Sequence, residues 1–226
     1  MNIQDYYEYA LAEGEGLGTA YEYYVKRKLM DRLVSKEKIC TLLVYGLPEK
    51  YGLSVDFFLY GQMNKINVDL YEKNKEKIKE LFSILQKYNI PKPNLVSRIS
   101  KSYDLVLSSE VLQQFSNEER KSVINTLKKS SKRMILFMPN GYNKSHLKIS
   151  GLKGIEPSIK NKIGLGFSFL DMPPFPPGIK KKKRVTSTTF IGVLQIYADL
   201  EKYFPKFIKR RVAHIVYTSN REDTTY

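Results

Sequence analysis

Apolar residues recur along this chain in two rhythms: short near-continuous runs, and longer stretches at three- and four-residue spacing. The runs are ICTLLVY at 39–45, KINVDL at 65–70, NLVS at 94–97, YDLVLS at 103–108, RMILFM at 133–138 and AHIVYT at 213–218. Rich in β-formers and short of charge, they fit strands covered on both faces of a parallel sheet, with Asp69 closing the second. The helical rhythm comes between them. Residues 4–13 predict a short helix stopped by the glycines of 14–18, and Thr19 is the expected cap of a helix over 19–34. In that helix Tyr21, Tyr24, Val25, Leu29 and Leu33 share one face. Further helices are expected at about 49–62, with Pro48 in the first turn, and at 72–88, with Ile78, Leu81, Phe82 and Leu85 inward. Ser116 and Glu119 have the spacing of a capping box opening a helix to 129. A last helix is expected at about 189–203.

Strands alternating with helices of these lengths indicate βαβ units. The expected fold is α/β: a Rossmann-like three-layer sandwich, a mostly parallel sheet with helices on both faces. One domain over 1–226 carries an N-terminal helical extension (1–36) and an irregular insertion after strand five (141–188).

Composition narrows the partners. The net charge is +15, with no Lys or Arg in 1–25 but 21 basic residues against four acids over 120–211. Such asymmetry suits RNA or another anionic partner, or simply a solvated surface. No apolar run reaches the ~18–20 residues of a membrane span. The N-terminus lacks a basic segment followed by an apolar one, so a cytoplasmic protein is expected. The single cysteine, Cys40, stands in an apolar run and is expected to be buried. No Cys, His and acid set has metal-ligand spacing, so no metal site is expected.

Ligands of open α/β sheets bind at the carboxyl ends of the strands, near the point where strand order reverses. After the first strand stands Tyr45-Gly46-Leu47, where Gly46 allows a tight turn. Asp69 follows Gly46 by 23 residues and is suited to accept hydrogen bonds from ribose hydroxyls. The segment YDLVLSSEVLQQF at 103–115 resembles the fourth-motif strand of class I S-adenosylmethionine-dependent methyltransferases, and MILFMPN at 134–140 resembles their fifth strand. The resemblance covers roughly 39–140. It implies S-adenosylmethionine as cofactor and a methyl acceptor of unknown identity. Tyr45, Gly46 and Leu47 would wrap the methionine part, Asp69 would hold the ribose, Leu70 would flank the adenine and Ser97 would lie at its edge. Ser108, Ser109 and Glu110 would line the floor near the sulfonium, with Tyr21 and Arg27 over the cofactor carboxylate. The sequence departs from the family's acid-x-Gly-x-Gly loop, since Val44 and Pro48 stand at the acid and second-glycine positions. Gln113 and Gln114 stand where many relatives have His.

Two readings follow. One is a methyltransferase; the other is a methyltransferase-like binding protein without activity that uses its basic C-terminal half on RNA. His146, in a polar stretch after the fifth strand, is the candidate general base. His214, inside an apolar strand, reads as structural. The Pro-rich stretch 171–178 around Phe175 is either a stiff lid or a surface loop, and KKKKR at 180–184 either an anion strip or a solvated run.

Overall fold

The computed structural model describes residues 2–35, 37–155, 168–170, 194–196, 198–200 and 212–219. Helices α1 (Ile3–Ala12) and α2 (Leu17–Val34) precede strand β1 (Thr41–Tyr45). Then follow α3 (Val55–Met63), β2 (Asn67–Tyr71), α4 (Lys75–Lys87), β3 (Asn94–Leu95) and β4 (Tyr103–Ser109). A 3-10 turn (Leu112–Gln114), α5 (Asn117–Lys129), β5 (Ser131–Pro139), α6 (Lys144–Ser150), β6 (Ser168–Leu170) and β7 (Val212–Thr218) complete the order.

The strands form one sheet in the order β3-β2-β1-β4-β5-β7-β6, parallel from β3 to β5 and antiparallel at β7 and β6. Successive side chains of a strand point to opposite faces. Leu42, Val44, Leu70, Leu105, Leu107 and Phe137 therefore pack under α1–α4. Leu43, Val106, Met134 and Leu136 pack on the other side with Leu127 of α5. This is the expected Rossmann-like three-layer sandwich. The chain runs outward through β1, β2 and β3 and returns to β4, so strand order reverses between β1 and β4.

Local signals hold where side chains close their own turns. Ser116 and Glu119 form the capping box of α5, and Asn2 and Asp5 form another on α1. Several boundaries differ from the sequence reading. Helix α2 starts after Gly16, two residues before Thr19, and its first turn is closed by the Ala20 N–H donating to the Gly16 carbonyl at 3.1 Å. Helix α3 begins only at Val55, since Tyr51, Gly52 and Ser54 all have positive φ and cannot be helical. Pro48 consequently lies in a loop. Strand β2 continues past Asp69 to Tyr71, and β3 is only two residues long. Cys40 is exposed, because it precedes β1 at the amino edge of the sheet. The insertion is not irregular throughout, since α6 and β6 fall within 141–188. The Pro-rich stretch, Phe175 and the basic run 180–184 lie outside the described residues, as do most of 189–203.

The amino edge is tied by Asp104. One of its carboxylate oxygens accepts the N–H groups of Cys40 and Thr41, each at 2.9 Å, and the Thr41 hydroxyl at 3.1 Å. Its other oxygen meets Lys132 Nζ at 2.8 Å. Lys132 first, and then the Cys40 N–H, hold this carboxyl well below the usual carboxylate range. A depressed carboxyl stabilises the fold above the ordinary aspartate pKa of about 3.9 and loses that contribution as pH falls through the folded value. Asp104→Asn is expected to lower the unfolding free energy by about 1.5–3 kcal/mol at pH 7. Urea titrations should show the gap to wild type shrinking below about pH 4; a gap that stays constant on acidification would contradict this assignment.

Candidate functional site

The site begins where β1 and β4 end side by side. Gly46 has φ +72°, and a side chain there would meet Val111 Cγ1 at 2.8 Å, so both conformation and space call for glycine. Its N–H donates to the Tyr71 carbonyl at 2.8 Å, joining the ends of β1 and β2. Ser108 Oγ donates to the Tyr45 carbonyl at 2.7 Å, joining β1 to β4. Glu110 follows β4 with φ +54°, an uncommon conformation for a side chain-bearing residue. Gln113 Nε2 secures it from the 3-10 turn, donating to the Glu110 carbonyl at 2.7 Å.

On the α5 side of this edge lies a cleft of about 300 Å³. Tyr45 and Tyr71 form one wall, stacked with ring centroids 5.2 Å apart and planes at 4°. Ser97, Arg98 and Ile99 after β3 form a second, and Ser122, Val123 and Thr126 of α5 a third.

Among the expected cofactor residues, Tyr45, Gly46, Ser97, Ser108, Ser109 and Glu110 come together along this edge. Others point elsewhere. Asp69 stands in the middle of β2, and its carboxylate is occupied by the Tyr103 hydroxyl at 2.8 Å, Lys101 Nζ at 2.7 Å and Asn94 Nδ2 at 3.2 Å. Burial opposes its ionisation, but those three partners outweigh it and hold the carboxyl low. The acid just past the end of β2 is Glu72, which the sequence reading missed. Leu70 is fully buried under the opposite face, and Tyr71 takes its place in the cleft. Leu47 is buried, but its N–H is bound by Glu72 at 2.7 Å. Tyr21 is buried in the core of that opposite face. Arg27 pairs with Asp31 at 2.9 Å and lies 4.5 Å over the Tyr60 ring, on α3.

The neighbouring Lys26 is the α2 cation that reaches the carboxyl edge. Its Nζ is 2.6 Å from Ser109 Oγ and paired with Glu22 one turn back. Burial alone would lower the lysine pKa, but Glu22, Asp56 and Glu110 outweigh it and raise it. Likewise burial would raise Glu22, and Lys26 and His214 outweigh it and hold it low. Asp56 is pushed up to about 7 by burial, against the pull of Lys26. His214 joins this cluster through Nε2, which bonds Glu110 Oε1 and stands 3.9 Å from Glu22 Oε1. His146 comes close as well, its ring centroid 6.0 Å from that of His214. The fold thus brings together the two histidines that sequence reading separated into a base and a structural residue. Glu22, Glu110 and His214 hold ligand atoms within 4.8 Å of one another, a set that local spacing cannot reveal.

The loop after β1 is held by protein groups. Glu72 accepts the N–H groups of Leu47, Lys73 and Asn74, each at 2.7 Å, and Lys77 bonds the Pro48 carbonyl. Glu13, at the end of α1, takes the Tyr23 hydroxyl on one oxygen and the Leu53 N–H on the other. The Leu47 and Leu53 N–H groups of the loop are therefore answered by acidic side chains of the chain itself. Burial pushes the Glu13 carboxyl up to about 8, against the opposing pull of Tyr23 and the Leu53 N–H.

No protein-family model matches this chain, and no curated protein matches it in sequence. Solved structures do overlay on it. Magnesium protoporphyrin IX methyltransferase from Synechocystis PCC 6803, with bound SAH, is 16% identical over 68% of this chain and 77% of that one, with a TM-score of 0.47. TehB from Haemophilus influenzae is 18% identical over 50% of this chain, with a TM-score of 0.40; the match spans 41% of TehB's length. An S-adenosylmethionine-dependent methyltransferase from Clostridium acetobutylicum ATCC 824 is 12% identical over 55% of this chain and 53% of that one, with a TM-score of 0.44. No helix among the described residues is long and apolar enough to cross a membrane.

The Glu13 clamp has a testable pH signature. A carboxyl raised from 4.5 to about 8 favours the fold while protonated, so its contribution is full below pH 4.5 and lost as pH rises toward 8. Glu13→Gln keeps an acceptor for the Leu53 N–H without the ionisation. Thermal unfolding of Glu13→Gln should fall less between pH 5 and 8 than that of wild type, by roughly the linkage slope of a single proton. Parallel curves for the two proteins would show that Glu13 ionises normally.

Proposed function

We propose that the chain is an S-adenosylmethionine-dependent methyltransferase whose cofactor lies along the carboxyl edge between β1 and β4. The observation that carries this reading is a cleft lined by Tyr45 and Tyr71, the last residues of β1 and β2, on the carboxyl side of a sheet whose strand order reverses at β1. A flat aromatic wall, hydroxyls of Ser97, Ser122 and Thr126 and the Arg98 side chain suit a purine, and about 300 Å³ accommodates a nucleoside. Glu72 suits the ribose better than Asp69 does. Glu72 is half-buried just past the end of β2, whereas Asp69 is buried in mid-strand, and the three backbone N–H groups on Glu72 leave about one of its four lone-pair sites free. Asp69 then acts from behind, fixing Tyr103 and Lys101 below the cleft.

S-adenosylmethionine supplies an electrophilic methyl group on its sulfonium. The work left to the protein is to hold donor and acceptor in line and keep water away. Ser108, Ser109 and Glu110 border the side of the edge where an acceptor would approach, and His146 is the proposed base for its proton. The net charge of +15 favours an anionic acceptor, RNA among them.

Calorimetric titration with S-adenosylhomocysteine tests the reading. One molecule should bind per chain, and Ser97→Trp, which fills the cleft from its exposed rim, should weaken binding at least ~10-fold, about 1.4 kcal/mol. Absence of heat and of any thermal shift at millimolar ligand would sink it.

A further inference from the structure

We propose that Glu22, Glu110 and His214 form a binding site for one divalent first-row transition-metal ion at the carboxyl edge of the sheet. The site stands on these three side chains alone and goes beyond the methyltransferase reading. They come from three elements, α2, the turn after β4, and β7, and their ligand atoms lie within 4.8 Å of one another. Glu22 Oε1 and His214 Nε2 are 3.9 Å apart. A tetrahedral ion with bonds of about 2.1 Å holds its ligand atoms about 3.4 Å apart, so small side-chain rotations close the set.

A second observation points to a ligand. Glu110 is 4% exposed, and its Oε2 has no hydrogen-bond partner. A buried carboxylate oxygen left unbonded carries a substantial desolvation cost, and a cation removes it. Glu110 can bind through both oxygens, and Ser109 Oγ lies beside the cluster on Lys26. Charge agrees. Three carboxylates, Glu22, Asp56 and Glu110, act on the single ammonium of Lys26. When Glu22 turns to the ion, Lys26 keeps the field of Asp56 and its bond to Ser109.

Imidazole with two carboxylates and no thiolate selects zinc, cobalt, iron or manganese rather than copper(I), and imidazole disfavours magnesium and calcium. Lys26 competes with the ion for Glu22, which makes its removal informative.

Cobalt(II) and zinc(II) are titrated separately into the full chain, following visible absorption for cobalt and heat for zinc. One ion should bind per chain, with a four- or five-coordinate cobalt spectrum. Glu110→Gln and Glu22→Gln should each weaken binding by roughly 10-fold or more, and Lys26→Met should tighten it severalfold. No binding to wild type, or affinities unchanged in folded Gln variants, overturns the proposal. Zinc X-ray absorption on wild type needs no variant: one imidazole with oxygen ligands supports the site, and a sulfur ligand or no imidazole overturns it. S-adenosylhomocysteine titrated into the same samples reports separately on the methyltransferase reading.

Discussion

At Gly46 the chain leaves β1 with φ +72°, and Val111, just past β4, fills the space where a side chain would stand. That single contact seals the point where strand order reverses. The Gly46 N–H then reaches the Tyr71 carbonyl, so the ends of β1, β2 and β4 are set against one another. The positions of the cleft, of the Tyr45–Tyr71 stack and of Glu110 all follow from it. Such strained or crowded turns persist where surrounding packing over-determines them, and here Leu43, Val106 and Leu112 supply that packing below the turn.

Two solutions for polar groups operate at the two edges of the sheet. At the amino edge Asp104 satisfies several donors of β1 and takes a surface lysine, an arrangement that only stabilises. At the carboxyl edge Glu22, Lys26, Asp56, Glu110 and His214 are enclosed together, where taking each charge from water costs several kcal/mol before pairing returns some of it. A core of apolar residues of similar volume would often be as stable or more so. That cost is concentrated at the edge where open α/β sheets bind their ligands.

The sandwich was legible because each strand is a short apolar run and the helices carry strong periodicity, with α5 marked by its own capping box at Ser116 and Glu119. The loop after β1 was less so. Tyr51 and Ser54 have positive φ in a loop whose Leu47, Pro48 and Leu53 backbone groups are bonded by Glu72, Lys77 and Glu13, residues distant in sequence. Asp69 looked like a strand-end acid because VDL reads as the close of a strand. Two more positions paired with β1, Leu70 and Tyr71, carry β2 past Asp69 and hand the edge to Glu72. In α2, Arg27 has the residue type expected over a carboxylate, yet Lys26 has the direction. One helical position is about 100° of rotation, and tertiary packing alone decides which of the two faces the sheet. The polar cluster shows the same limit most clearly: Glu22 and Lys26 pair one turn apart on α2, and β7, far along the chain, places His214 beside them.

The carboxyl edge beside Gly46 is proposed as a nucleoside site. A crystal structure of the chain grown with S-adenosylhomocysteine tests it most directly. A purine is expected in the cleft between the Tyr45–Tyr71 pair and Ser122 of α5, with the ribose toward Glu72. Ligand density on the opposite, α3-facing side of the sheet, or a cleft filled only by solvent at saturating ligand, would contradict it.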